Sequence, residues 1–133
     1  MLPRANRLSA KRDVERVSRM GRPVFAPDLT VRCVPNRVGH IRMTVVAGLK
    51  VSKRSNERNR AKRLVREAIH RNLAVIHPNA DIVVYAKSSI VGKDYRTVSG
   101  ALGRAFTKAG LLRGRWVDNQ ASGGRDQESG SRG

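Results

Sequence analysis

Along the chain the apolar positions switch between helical and strand-like spacing, and those switches predict the elements. A first helix runs from about Ser9, as N-cap, to Met20, with Gly21 as C-cap and Val14 and Val17 on its inner side. Pro23 and Pro27 then impose extended chain. Leu29 to Val34 alternates as a strand with Leu29, Val31 and Cys33 on one face, Pro35 to His40 reads as a turn, and Ile41 to Ala47 is a β-branched second strand. Ala61, Leu64, Val65, Ala68 and Ile69 form one buried stripe, which predicts a long helix from about Glu57 to Val75, capped by Ser55 or Asn56. Asp81 to Ala86 is apolar almost throughout, as in a strand covered on both faces. Val98, Ala101, Leu102, Ala105, Phe106 and Ala109 mark a last helix from Thr97 to Ala109, stopped by Gly110. The order α-β-β-α-β-α predicts an α+β sandwich of helices on one mixed sheet.

Composition adds a core and a limit. Leu, Ile, Val and Phe make up about a quarter of the 133 residues, enough for a folded domain despite the charge. That domain is placed at residues 1–120. Residues 121–133 hold no large apolar side chain and read as a disordered tail. A single Cys excludes a disulfide framework and, with three His, argues against structural zinc. No apolar run reaches the roughly 18 residues of a membrane helix, and residues 1–8 lack a signal-peptide core. The expectation is a soluble, cytoplasmic protein with no membrane partner and no small-molecule substrate.

Charge narrows the class of partner. Twenty-eight Lys and Arg against ten Asp and Glu give a net charge of +18, which attracts polyanions and repels itself without them. The strongest concentration is residues 50–71, with nine cations and two acids. On a helical wheel Arg58, Lys62 and Arg66 descend one flank of the apolar stripe, Arg63 lies opposite it and Arg60 takes the other flank. Guanidinium forks grip phosphates in pairs of hydrogen bonds and stack on bases, while Asn59 can donate to and accept from a base edge or a ribose hydroxyl. Glu67 can pair with Arg63 and Arg71, but two acids do not neutralise nine bases. The face is read as a nucleic-acid surface.

Chemistry by the protein itself finds little support. Metal-dependent phosphodiester cleavage needs clustered carboxylates. The eight acids before the tail, at 13, 15, 28, 57, 67, 81, 94 and 118, are scattered. Asp81 is read as part of a turn leading into its strand. His40, His70 and His77 have no partner at useful spacing, Cys33 reads as a small buried hydrophobe, and Trp116 as a cover for the edge of the core. With five aromatics in the chain, a stacking platform is not expected.

The stretch Glu57-Arg58-Asn59-Arg60-Ala61-Lys62-Arg63-Leu64-Val65-Arg66-Glu67-Ala68 resembles the signature helix of the bacterial ribonuclease P protein subunit. Arg7-Leu8 and the helix ending at Gly21-Arg22 resemble that family's first helix, and Pro35-Asn36 its first turn. Gly48-Leu49-Lys50-Val51-Ser52-Lys53 resembles a glycine-led strand ending in Ser-Lys, and Asp81-Ile82-Val83-Val84 the third strand. The resemblance spans about residues 4–112. It implies the order α-β-β-β-α-β-α, with the basic helix in the crossover. It further implies that catalysis belongs to an RNA subunit, which removes the 5′ leader of precursor tRNA with Mg²⁺ held by RNA, the protein alone being inactive and binding no cofactor.

On that resemblance the RNA-binding residues are Lys50, Lys53, Arg54, Arg58, Asn59, Arg60, Lys62, Arg63 and Arg66, and the partners are ribonuclease P RNA and precursor tRNA. Val14, Val17, Ser18 and Arg32 would line a leader cleft between the first helix and the sheet. Val14, Ser18 and Arg32 stand where the family usually carries aromatic residues. The competing expectation is a ribosomal or other structured-RNA-binding protein with no part in cleavage.

Overall fold

The structure, a computed structural model, describes residues 2–117. The expected tail, residues 121–133, lies outside the described residues, as do the last three positions of the expected domain. Three helices, α1 (Lys11–Met20), α2 (Ser55–Arg71) and α3 (Tyr95–Lys108), surround four strands, β1 (Arg22–Ala26), β2 (Leu29–Pro35), β3 (Arg42–Val46) and β4 (Ala80–Ala86). The strands lie in the order β1-β2-β4-β3. β1 with β2 and β2 with β4 are antiparallel, whereas β3 and β4 are parallel, so α2 is the crossover between them.

β1 is the strand that apolar spacing alone does not reveal. Its one proline, Pro23, is compatible with a strand because β1 is at the sheet edge, where a missing N–H is tolerated. Pro27 then starts a two-residue turn completed by Asp28 at a φ of 70°, a backbone position usually given to Gly or Asn.

Alternation puts the sheet's two faces to different uses. Leu29, Val31, Met43, Val45, Ile82 and Val84 point to one side and are buried under α2 and α3, with Cys33 packed against them. On the other side, Val34 and Val83 meet Val17 of α1 and Leu8. Helices therefore cover both faces, α1 alone lying on the second.

Local details correct several boundaries. α1 is capped at Ala10, not Ser9, and no side chain bonds that end. α2 starts at Ser55 with Arg54 in the cap position, so neither Ser55 nor Asn56 caps it, and it ends at Arg71 before the 3-10 turn Leu73–Val75. α3 begins two residues early because the Asp94 carboxylate accepts from the Thr97 N–H at 2.9 Å. The glycine-led segment from Gly48 is a turn closed by Val51 N–H to Gly48 O at 3.0 Å, not a strand.

Candidate nucleic-acid interface

α2 buries Ala61, Val65, Ala68 and Ile69 and tucks Leu64 partly beneath, which turns its remaining arc outward. Asn59, Arg60, Arg63 and Arg66 are exposed, while Arg58 and Lys62 are half-buried on the flanks. Arg66 reaches the β3 side of the helix and Arg60 the opposite side, beside Ile90–Lys93, as the wheel requires. Lys50, Lys53 and Arg54 extend the same surface from the loop before the helix, all exposed.

Ser52 fixes that loop. Its hydroxyl accepts from the Arg54 N–H at 3.0 Å and donates to Glu57 Oε1 at 2.5 Å, and its carbonyl accepts from Arg58 Nη1 at 2.9 Å. Both acids of the stretch are therefore occupied. Glu57 holds Ser52, and Glu67 takes Arg71 at 2.6 Å and leaves Arg63 alone. The Arg71 hydrogen bond holds the Glu67 carboxyl below its ordinary pKa. Among the described residues, Lys50, Lys53, Arg54, Arg60, Lys62, Arg63 and Arg66 make no ion pair. Seven uncompensated cations on one helix and its leading loop form a surface that only an extended anion relieves.

The second candidate region is the sheet face under α1. Val17 is fully buried there, so it anchors α1 and does not line an open cleft, which corrects the expected role. Val14 is half-buried, and Ser18 is hydrogen-bonded to the Tyr85 hydroxyl of β4. Arg32 donates from Nη1 to Gly21 O at 2.7 Å and sits half-buried beside the end of α1. Beyond α1, a cross-strand row of Phe25, Thr30, Tyr85 and Val46 lies on the same face. Phe25 is 63% exposed and Val46 40%. Lys87 Nζ stands 5.9 Å from the centre of the Phe25 ring. Two of the five aromatics thus share this sheet face, Phe25 exposed and Tyr85 half-buried beside α1, although their sequence positions gave no such sign. The register needed to see it pairs residues about sixty positions apart.

Other chemistry-bearing residues have structural roles. Asp81 is completely buried and receives Arg42 in two bonds of 2.8 and 2.7 Å, Arg16 at 2.6 Å and Asn36 at 2.8 Å. Burial raises its pKa, but the Arg42 and Asn36 hydrogen bonds and the charges of Arg42 and Arg16 outweigh this, leaving the carboxyl below its ordinary value. Burial pushes the Cys33 thiol above its ordinary value, and the side chain packs half-buried against the core. Trp116 meets Phe106 edge-on at 5.3 Å and donates from Nε1 to Ser99 O at 3.0 Å, covering the core edge as expected. Among the described residues no group of three His, Cys, Asp or Glu is placed to hold a metal ion.

A basic crossover helix beside a half-covered sheet face has known counterparts. The family model described as Ribonuclease P matches residues 2–110. The chain belongs to the ribonuclease P protein family. It is 32% identical over 106 residues to the ribonuclease P protein component of Photorhabdus laumondii, an alignment covering 80% of this chain and 88% of that one. With the component of Synechocystis it shares 30% identity over 84% of this chain and 90% of its relative.

Solved ribonuclease P proteins share the fold. The Staphylococcus aureus protein superposes with a TM-score of 0.75 at 22% identity, covering 82% of this chain and 99% of that one. The Thermotoga maritima protein gives 0.65 at 30% identity over 72% and 90%. Membership makes this chain the protein subunit of the tRNA-processing ribonucleoprotein, with ribonuclease P RNA as its partner. The fold order implied by the resemblance, including β1, is the one present. Among the described residues no helix is long and apolar enough to cross a membrane.

Proposed function

We propose that this ribonuclease P protein grips the catalytic RNA with the outer arc of α2 and its leading loop, and holds the 5′ leader of precursor tRNA on the open sheet face. Arg60, Arg63, Arg66, Lys62, Lys50, Lys53 and Arg54 take phosphates, Asn59 reads a base edge or ribose, and Arg58 acts from its bond to the Ser52 carbonyl. Val14, Ser18 and Arg32 border the leader path. Phe25 and Tyr85 supply the stacking surfaces that α1 lacks.

Its contribution to catalysis is electrostatic. Screening phosphate repulsion lets the RNA subunit and its substrate approach at lower Mg²⁺, the metal being held by RNA and the protein alone being inactive. The observation that supports this reading most is the uncompensated α2 surface, beside a sheet face that one short helix only half covers.

Precursor-tRNA cleavage by a bacterial ribonuclease P RNA at low Mg²⁺, with and without this protein, tests it. Protein-dependent leader release, with no cleavage by protein alone, is the expected result. Tight RNA binding without stimulation would transfer the reading to a structured-RNA-binding protein with no part in cleavage.

A further inference from the structure

A cavity of about 460 Å³ opens where the sheet face meets α2, within the roughly 300–1,000 Å³ range of small-ligand sites. It lies over the outer edge of β3, the last strand of the sheet. The N-terminal segment covers that edge only as far as Met43, through Asn6 Nδ2 to Ile41 O at 2.7 Å and Leu8 N–H to Met43 O at 2.8 Å. Past that point Thr44, half-buried, and Val46, exposed, line the cavity together with Val14 and Ser9.

The lining has a definite chemistry. Leu8, Val14 and Val46 give it aliphatic walls, and Ser9 and Thr44 bring hydroxyls. Arg7 and Arg66 bring guanidinium groups, and among the described residues no carboxylate lines the space. Arg66 makes no ion pair among the described residues, and Arg7 bonds from Nε to Leu2 O at 3.2 Å. Aliphatic walls accept a flat apolar ring, two cations without an acid require an anion, and hydroxyls suit a base edge or a 2′-hydroxyl. A nucleotide carries all three partners.

The geometry points to this cavity as a binding site for one RNA nucleotide, its base between Val14 and Val46 and its phosphate on Arg7 and Arg66. The site rests on the reading that RNA follows α2 and the sheet face, and it joins the two. Arg66 belongs to the arginine ladder of α2, whereas Thr44 and Val46 belong to the sheet face, so a strand passing from one to the other crosses here. The nucleotide comes from the leader or from the catalytic RNA, and the chemistry is the same for both.

A photo-crosslinker on Ser9→Cys in a Cys33→Ala background, within the reconstituted holoenzyme bound to precursor tRNA, tests the assignment. The same probe on Ser55→Cys, at the start of α2, reports RNA on the helix. Crosslinking of Ser9 to a short run of leader nucleotides supports the site and identifies the leader as its source. Crosslinking to one position of the ribonuclease P RNA supports it with the other source. A crosslink from Ser55 with none from Ser9 overturns the site and leaves the α2 reading standing, whereas silence from both overturns the reading beneath it.

A charge variant gives a second measure. Ser9→Glu adds a carboxylate to the lining that holds the two arginines and lowers affinity for the crosslinked RNA roughly tenfold. Ser89→Glu makes the same charge change on the exposed turn after β4 and leaves affinity within about twofold. Equal losses in both variants overturn the site, because only long-range charge would then be at work.

Discussion

Arg42 of β3 closes a two-pronged bond on Asp81 of β4, Nε to Oδ1 at 2.8 Å and Nη2 to Oδ2 at 2.7 Å, between strands that run parallel. Arg16 of α1 completes the cluster at 2.6 Å, and Asp13 of α1 approaches Arg42 at 3.6 Å. A buried carboxylate thereby pins α1 to the sheet and sets the width of the sheet face beside it.

Asp81→Asn leaves two arginines without their shared anion and costs about 3 kcal/mol, read as a lower urea midpoint at an unchanged m-value. Arg16→Met costs less, because Arg42 and Asn36 keep Asp81 satisfied. The folded carboxyl has a depressed pKa, so its stabilisation is fully present above the unfolded value of roughly 3.9 and fades as pH falls below that toward the folded value. The wild-type protein therefore loses stability more steeply than Asp81→Asn below about pH 4. Parallel slopes for the two proteins in that range would remove Asp81 from the account.

Arg60→Ala and Arg63→Ala remove exposed guanidinium groups that make no ion pair among the described residues. Each lowers the dependence of log affinity for ribonuclease P RNA on log salt by about one unit, with thermal stability unchanged. Arg58→Ala lowers the same slope and also loosens the loop, costing about 1 kcal/mol through its lost bond to the Ser52 carbonyl. An unchanged salt slope in all three would move the RNA surface off α2.

What the amino-acid pattern made legible was local. The α2 stripe and its basic arc depend only on residues three and four apart, so the wheel places Arg60 and Arg66 on the flanks they occupy. β1 was hidden because Pro23 interrupts its short alternation, Pro27 follows at once, and Asp28 stands where a hairpin turn usually carries Gly. Val17 was misplaced for another reason. A wheel identifies the inner side of α1 but not how closely the sheet approaches it, and contact with Val34 and Val83 excludes all solvent. Tyr85 and Phe25 come together only through the register of three strands, which no spacing along the chain encodes.

Gly103 faces Trp116 so closely that an added Cβ would stand 2.6 Å from the indole Cδ1. Gly103→Ala must displace the ring from Phe106 and from the Ser99 carbonyl, costing about 1–3 kcal/mol. Trp116 is the sole tryptophan, so its fluorescence reports the change directly as a red shift with greater quenching by iodide. Affinity for RNA stays as it was, since α3 carries none of the proposed contacts. An unshifted spectrum would show that the ring is not held against α3.

Tyr85 connects the proposed leader surface to α1, its hydroxyl bonded to Ser18 and its ring in line with Phe25 across the sheet. Two substitutions separate those roles. Tyr85→Phe keeps the ring and loses the bond, which frees the C-terminal half of α1 at a cost of about 1 kcal/mol in stability and with little effect on substrate. Tyr85→Leu keeps an apolar group but removes the stacking surface, and weakens precursor binding by about 1–3 kcal/mol. That loss disappears for a precursor whose leader is too short to reach the sheet, because on the proposed path it is the leader that passes over β4. Arg32→Ala follows the same leader-length dependence, while assembly with the RNA subunit is unaffected. If Tyr85→Leu and Arg32→Ala weaken assembly and leave leader-dependent affinity intact, the sheet face belongs to the catalytic RNA and the leader runs elsewhere.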